Sequence, residues 1–227
     1  VFFLGMLVAA PLADFLVGQL APAEPLAHAS LRPFTADRIV RTSPVPVLLV
    51  RPGVPAPAPG TAAITRLLVP LDGSDLAEAA LPVATALAQR LAIPVQLIRA
   101  TNAAMTLATL TGSSPFPVAP PADIYDRLAI DLESEATAYL GEVTARLRQE
   151  GIAATWVVRD GSPYAEIANA ITPGDLLVMT SHGRGGVMRW LLGSVAEKLV
   201  REAPVPVLLV PAAQRGTEAA ASAAADR

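Results

Sequence analysis

The segment DLLVMTSHGRGGVMRWLLGSVAE, residues 175–197, decides the fold. Its first six residues form a short apolar run, which is typical of a strand buried on both faces of a parallel sheet. Glycines crowd residues 183–186, and a Gly193-Ser194 pair then precedes a helical pattern. Glycine lets a ligand approach the main chain closely, and the free N–H groups at a helix start favour phosphate. A strand, a glycine-rich turn and a helix in this order predict an anion site at the carboxyl edge of an α/β sheet.

Strands and helices alternate along most of the chain. The predicted strands are residues 66–71, 94–100, 154–160, 175–180 and 205–210. The predicted helices are residues 74–91, 124–149, a segment starting at Ser162-Pro163, and residues 193–201, with an irregular region after the second strand. This alternation predicts an α/β fold of the Rossmann-like type, an open five-stranded parallel sheet with helices on both faces. Because Pro206 cannot donate to a strand ladder, the last strand is predicted to lie near a sheet edge.

Composition predicts the domain boundaries. The proline-rich stretch RPGVPAPAPG is stiff and extended, and it indicates a linker at residues 51–62. The main domain is predicted at residues 63–213. Residues 214–227 lack a core-forming pattern and are expected to be a disordered tail.

A repeated segment marks residues 1–50 as an N-terminal remnant. The sequence PVPVLLV occurs at residues 44–50 and again at 204–210, and DRIVR and EKLVR precede the two copies. We interpret the first copy as the last strand of a preceding copy of the domain, a tandem-repeat remnant. Nothing upstream of it resembles the glycine-rich segment, so it carries no site. Its strand, Val45–Val50, is predicted to pair with Val205–Val210 in the same chain or in a neighbouring one.

Composition also excludes several classes of function. The net charge of −3, without a basic block, gives no reason to expect nucleic acid. The absence of cysteine excludes disulfides, thiol catalysis and zinc-thiolate sites, and His28 and His182 are too few and too far apart for a histidine-rich metal site. The apolar first residues are broken by Pro11 and Asp14, short of the roughly 20 residues a membrane span needs. A soluble cytoplasmic protein is the expectation.

The residues alone leave the role of the glycine-rich segment open. Ser194 and Glu197 satisfy the S-x-x-E pattern of a capping box, which would explain Ser194 without a ligand. Asp72 follows the first strand of the domain, where it could face a ligand or cap the turn before the helix at Ser74. Phosphate binding and ordinary loop and cap chemistry both remain possible at this point.

Two stretches of the chain resemble the universal stress protein family. They are LLVPLDGS, residues 67–74, and the motif T-S-H-G followed by nine residues and Gly-Ser. The resemblance covers about residues 64–211. Adenine-nucleotide binders of that family carry G-x-x-G, nine residues, and then G-S or G-T. Gly183, Gly193 and Ser194 match this motif, whereas Thr180 stands at its first glycine and adds a branched side chain there.

The resemblance implies ATP, with or without Mg²⁺, as the ligand and no metal held by the protein itself. By the same resemblance, Asp72 would hydrogen-bond the ribose or the adenine. The residues that would line the adenine are Pro70, Ala100 and Met179. The residues that would hold the phosphates are Gly183, Gly193, Ser194 and Val195.

Three functions follow from these observations. The first is an ATP-binding regulatory or stress-response protein that acts through ligand-dependent association. The second is an interaction protein of the same fold without nucleotide, which Thr180 favours. The third is a slow ATPase or autophosphorylating protein, with Ser194 or Thr180 accepting phosphate. Since the chain has no P-loop lysine and no catalytic set, we do not expect efficient catalysis.

The resemblance also implies a homodimer through Val205–Val210. The other polar and aromatic residues near these motifs are interpreted as surface, turn or packing groups: Asp160, Glu166, His182, Arg184, Arg189 and Trp190.

Overall fold

The computed structural model describes residues 43, 45–50, 64–111, 122–180 and 193–211. Gly183 lies outside the described residues, as do His182, Arg184, Arg189 and Trp190. The predictions for the linker, the tail and most of the N-terminal remnant also fall outside them.

The described residues form one six-stranded sheet in the order β1-β6-β5-β2-β3-β4. The strands are β1 Val47–Leu49, β2 Arg66–Pro70, β3 Val95–Thr101, β4 Ala154–Asp160, β5 Asp175–Thr180 and β6 Val207–Val210. Strands β2 to β6 run parallel, as the alternating pattern predicted. The added strand β1 is antiparallel to β6, so the sheet is mixed. The prediction of an α/β fold is confirmed, with a sixth strand beyond the five expected.

The described helices differ from the predicted ones in two places. They are α1 Asp75–Glu78, α2 Leu81–Leu91, α3 Ala103–Thr111, α4 Ala122–Gln149, α5 Pro163–Ala170 and α6 Ser194–Glu202. The single helix predicted over residues 74–91 is wrong, because Pro82 has no N–H to donate to the carbonyl of Glu78. Pro82 instead lies in the first turn of α2, where no intrahelical donor is needed. The region predicted as irregular contains α3, whose start is stabilised by the Asn102 side chain accepting from Met105 N at 2.8 Å.

Two apolar clusters cover the two faces of the sheet. Leu67, Val69 and Leu97 pack with α2 and α4, on what we call the α2/α4 face. Leu68 and Ile98 pack with α5 and α6, on the α5/α6 face. Adjacent strand residues therefore contribute to opposite layers, because side chains alternate along a strand. This burial on both faces explains the continuous apolar runs of the sequence.

A buried ion pair ties β2 to β5 at the amino end of the sheet. The Asp175 side chain is fully buried, and Arg66 donates to both of its oxygens, from Nε at 2.8 Å and from Nη2 at 2.6 Å. Thr172 N also donates to this carboxylate, at 2.7 Å. Arg66 further donates to Gln96 and to the carbonyl of Ala170. The carboxylate raises the pKa of Arg66 above its ordinary value through the hydrogen bond, against the opposing effect of burial.

The repeat strand β1 pairs with β6 within the same chain. Its partners run from Val47 opposite Leu209 to Leu49 opposite Val207. Of the two pairings that the repeat allowed, the structure has the one within the chain. β6 therefore lies next to the sheet edge rather than at it. Pro206 is accommodated because it precedes β6, where its carbonyl accepts from Leu177 N at 3.0 Å.

Candidate functional site

The site predicted from the sequence lies where β2 and β5 separate. The two strands pair from Arg66 opposite Asp175 to Leu68 opposite Leu177. Beyond that pair, β2 continues alongside β3, and β5 continues alongside β6 up to Thr180. Neighbouring parallel strands that turn to different partners leave a crevice at their carboxyl ends, the usual ligand position in an open α/β sheet.

The three residues predicted to line the adenine share one face of this crevice. Pro70, Ala100 and Met179 each stand two positions after a strand residue of the α5/α6 face. Pro70 and Ala100 are half-buried, and Met179 is 7% exposed within the same cluster. The alternation of side chains therefore brings them together as a patch at the carboxyl ends of three strands.

Thr180 lies on the other face of the sheet. It follows Met179 by one position, and Val178, two positions before it, belongs to the α2/α4 face. Thr180 is 5% exposed and is opposite Val210 of β6. The branched side chain at the first motif glycine is thus directed away from the patch of Pro70, Ala100 and Met179.

Asp72 belongs to a hydrogen-bonded turn between β2 and α1. Its Oδ1 accepts from Ser74 N at 2.9 Å and from Ser74 Oγ at 2.6 Å. Ser74 in turn caps α1 by accepting from Ala77 N at 3.1 Å. Gly73 adopts a φ of +83°, which makes the turn possible without strain. Asp72 therefore caps this turn, and its hydrogen bonds with Ser74 hold its side chain near the carboxyl ends of the strands. A ligand bound there would share the Asp72 carboxylate with Ser74.

Helix α6 starts one residue earlier than a capping box requires. Gly193 is the N-cap, with φ −57° and ψ 147°, and Ser194 is the first helical residue. The capping box that the sequence offered as an alternative role for Ser194 and Glu197 is not formed, because the N-cap position belongs to Gly193. The Glu197 carboxylate instead accepts from Arg201 Nη2 at 2.6 Å, one turn further along the helix. Ser194 and Val195 thus open the helix with N–H groups that have no acceptor within it.

The start of α6 points towards the same edge as Asp72. The helix ends at Glu202, shortly before β6 begins at Val207, and Val207 is opposite Leu177 in the first half of β5. A helix that crosses from β5 to β6 runs antiparallel to both strands, so its first residues lie near their carboxyl ends. The structure therefore gathers Pro70, Asp72 and the start of α6 at one edge. Gly183 belongs to the segment between β5 and α6, outside the described residues.

A second polar cluster at this edge was not predicted. Asp160, which the sequence analysis interpreted as an ordinary turn charge, accepts from Thr101 Oγ1 at 3.2 Å and from Tyr125 OH at 3.3 Å. The negative charge of Asp160 raises the pKa of Tyr125 above its ordinary value, with smaller contributions from burial and the hydrogen bond. Sequence reasoning missed the cluster because its members come from β3, β4 and α4. The available signal was that Asp160 ends one predicted strand and Thr101 directly follows another.

A polar network anchors α1, the helix that follows the Asp72 turn. Glu78 accepts from Tyr139 OH at 3.0 Å and from Arg146 Nη2 at 2.9 Å, both on α4. Arg99, 5% exposed, lies over the ring of Tyr139 at 5.3 Å and donates to Glu135 at 2.9 Å. Burial, followed by the charge of Glu78, raises the pKa of Tyr139 well above its ordinary value. The network holds the turn of Asp72 against the long helix α4.

Replacing Tyr139 by phenylalanine is expected to change how stability depends on pH. In the wild type, the unfolded chain releases the tyrosine proton near pH 10, while the folded chain keeps it to higher pH. The stabilisation due to the raised pKa is therefore complete below about pH 10 and is lost as the pH rises further. Urea unfolding from pH 7 to 11 should give the wild type a larger free energy of unfolding than Tyr139→Phe. This difference should be largest at neutral pH and should shrink above pH 10. Parallel stability curves would contradict this assignment.

A model of the universal stress protein family matches residues 63–211. The chain belongs to the universal stress protein family. The matched range contains every predicted site residue. Within the described part of this universal stress protein, no group of three or more His, Asp or Glu side chains could hold a metal ion. No helix there combines the length and the apolar character that a membrane span requires.

Curated relatives agree with the family assignment, and a solved structure agrees with the fold. This universal stress protein is 30% identical to universal stress protein YxiE of Bacillus subtilis over 148 residues, which cover 64% of this chain and 97% of YxiE. It is 33% identical over 152 residues to a universal stress protein of Thermus aquaticus, covering 63% of this chain and 96% of that protein. The solved structure of hypothetical protein MJ0577 matches with a TM-score of 0.56 at 24% identity, covering 67% of this chain and 99% of MJ0577. The last likeness supports the fold.

Proposed function

We propose that this universal stress protein binds an adenine nucleotide, ATP, in the crevice between β2 and β5 and acts in the cytoplasm as a regulatory or stress-response protein. The observation that carries the proposal is the convergence of three features at one sheet edge. They are the apolar patch of Pro70, Ala100 and Met179, the carboxylate of Asp72, and the first turn of α6. An apolar patch, a hydrogen-bond acceptor and free N–H groups are what adenine, ribose and phosphate respectively require.

The geometry of α6 supports the phosphate part of this proposal. With Gly193 as the N-cap, no side chain occupies the capping position, and a phosphate could accept from the N–H groups of the first turn. The Glu197 charge is paired with Arg201 further along the helix, which reduces its repulsion of an anion. Any Mg²⁺ would be carried by the nucleotide phosphates. We expect binding, with hydrolysis or autophosphorylation slow or absent.

The second candidate is an interaction protein of the same fold without nucleotide. The observation that favours it is Thr180, a buried residue where the nucleotide motif has glycine. The direction of the Thr180 side chain argues against this second candidate, because the alternation of side chains along β5 directs it to the α2/α4 face. The nucleotide proposal therefore takes precedence.

Calorimetric titration with ATP tests the proposal. The wild type should bind in the micromolar range, and Gly193→Val should abolish binding, because a branched side chain at the N-cap blocks approach to the first turn. The matched control is Gly141→Val within α4, where an added Cβ meets no atom within 4 Å. Equal binding by both variants would place the nucleotide elsewhere. No binding by a folded, nucleotide-free wild type would overturn the proposal.

Thr180→Gly separates the two candidate functions. If the side chain of Thr180 is directed away from the ligand, ATP affinity should change by less than about threefold, which corresponds to under 1 kcal/mol. The same titration measures it. ATP binding that appears only in Thr180→Gly would mean that Thr180 closes the site in this chain, and the interaction protein would then be the better description.

A further inference from the structure

An open groove lies between α1, the start of α2 and the carboxyl end of α4. Its volume is about 850 Å³, which is the size of a small-molecule site. None of the residues that line it belongs to the nucleotide site proposed above. The groove is therefore a separate feature of the fold, and its chemistry can be considered without reference to nucleotide.

The apolar part of the groove is aliphatic. Leu76 and Leu81 line it from α1 and α2, and Val143 and Leu147 line it from α4. Leu81, Val143 and Leu147 are buried members of the cluster on the α2/α4 face, so we call these four residues the floor of the groove. Among the described residues that line the groove, none is aromatic. The floor thus suits a flexible aliphatic chain better than a flat ring, which would gain from an aromatic partner.

The rim of the groove carries an excess of negative charge. Its charged residues are Asp75, Glu78, Arg146 and Glu150, and the guanidinium of Arg146 is already paired with Glu78 at 2.9 Å. Asp75 and Glu150 are exposed, and no ion pair within the described ranges engages either carboxylate. The carboxyl end of α4, at Gln149, adds the partial negative charge of the helix dipole. An occupant that complements this rim is cationic.

The spacing of the carboxylates indicates how the charges of the occupant are distributed. Asp75 and Glu78 are three positions apart on α1, so their Cβ atoms are about 5–6 Å apart. Two ammonium groups joined by a short run of methylenes span a similar distance. Glu150 is one helical turn, about 6 Å, beyond Arg146, the partner of Glu78. The rim therefore offers several acceptors at short intervals along an aliphatic floor.

We propose that this groove binds a linear aliphatic polyamine such as spermidine. The methylene segments lie on the floor, where they are removed from water. The ammonium groups lie at the rim, with Asp75 and Glu150 as the main anchors and Glu78 shared with Arg146. The site therefore recognises an alternation of charge and methylene segments, which neither a metal cation nor a simple alkylamine provides.

Calorimetric titration of spermidine into the full chain, freed of nucleotide, tests the proposal. Nucleotide must be absent, because polyamines also bind phosphates through charge. The wild type should bind one spermidine in the micromolar range. The double variant Asp75→Asn, Glu150→Gln should bind about tenfold more weakly, because both unpaired carboxylates are lost. A folded wild type that does not bind spermidine would overturn the proposal, whether or not the chain binds ATP.

The matched control removes two carboxylates of α4 that lie outside the groove. Asp131 and Glu133 are exposed and at least ten residues, about 15 Å, before Val143 along the helix. The double variant Asp131→Asn, Glu133→Gln changes the net charge by the same amount and should bind spermidine as the wild type does. An equal loss in both double variants would show a general attraction of polycations to an acidic chain, and the proposed site would be wrong.

A second pair of variants tests the position of the ligand by its shape. Thr85 is half-buried and lines the groove, whereas Ala86, the next residue of α2, is exposed and does not line it. Thr85→Trp should abolish spermidine binding by filling the groove, and Ala86→Trp should leave it unchanged. Spermidine binding retained in a folded Thr85→Trp chain would place the ligand elsewhere.

A comparison of ligands tests the role of the floor. Butylamine has the methylenes with a single charge, and Mg²⁺ has the charge without methylenes. Both should bind at least about tenfold more weakly than spermidine, and Mg²⁺ at equal concentration should not displace it. Displacement of spermidine by an equal concentration of Mg²⁺ would show that the rim responds to charge alone, and the assignment of a polyamine would fail.

Discussion

Arg66→Met is expected to lower the free energy of unfolding by about 3 kcal/mol. The substitution leaves the fully buried carboxylate of Asp175 without its cation, and Thr172 alone cannot replace two charge-assisted hydrogen bonds. The value lies at the lower end of what breaking a buried pair costs, because a quarter of the Arg66 side chain remains exposed to water. Urea denaturation at neutral pH measures the change.

Two controls make this result specific. Arg201→Met breaks the pair with Glu197, whose side chains are 64% and 40% exposed, and should cost only about 0.5 kcal/mol. Adding Asp175→Asn to Arg66→Met removes the buried charge and should recover most of the loss. A loss of the same size in Arg201→Met, or no recovery in the double variant, would show that the unpaired carboxylate is not the cause.

The second large effect is expected from Leu199→Ala, which should cost about 2–5 kcal/mol. Leu199 is fully buried and packs α6 against the α5/α6 face. The remaining contacts of this helix with the sheet, from Ala196 and Val200, cannot fill the cavity that the deletion leaves. Thermal and urea unfolding measure the loss.

Lys198→Ala is the control for this substitution. Lys198 is on the same helix, and its ammonium lies over the Tyr164 ring at 3.9 Å. Its loss should cost about 0.5–1 kcal/mol. If Leu199→Ala cost no more than Lys198→Ala, the packing of α6 would not determine the stability of this layer. The candidate phosphate site would then rest on a loosely held helix.

The strands were the most predictable part of the fold. β5 has the bounds that its apolar run indicated, because a strand covered on both faces must be apolar throughout, and all six of its residues are buried. β4 also has the predicted bounds, although it lies at the sheet edge and most of its residues are exposed or half-buried. The helices between them follow from the same alternation. The split between α1 and α2 could have been predicted from Pro82, whereas α3 depends on Ala103 and Leu107 being buried by the rest of the domain.

The candidate site was predictable in its location but not in its local geometry. The end of β2 and the start of α6 follow from strand order and motif spacing. The N-cap of α6 could not be predicted in this way. The S-x-x-E pattern fits a capping box with Ser194 as the N-cap, whereas in the structure the N-cap is Gly193. Local side-chain chemistry allows both choices, which differ by one residue, so the S-x-x-E pattern alone could not select between them.

The sequence by itself determined the parallel α/β domain, the position of its glycine-rich segment in the chain and the existence of a second copy of the last strand. These features are encoded in composition, alternation and identity over short stretches. The tertiary structure decided which strand covers β6, on which face Thr180 lies and which side chains join Asp160. These depend on pairing between segments distant in the chain, where several partners satisfy the same local pattern and only the packed sheet selects one.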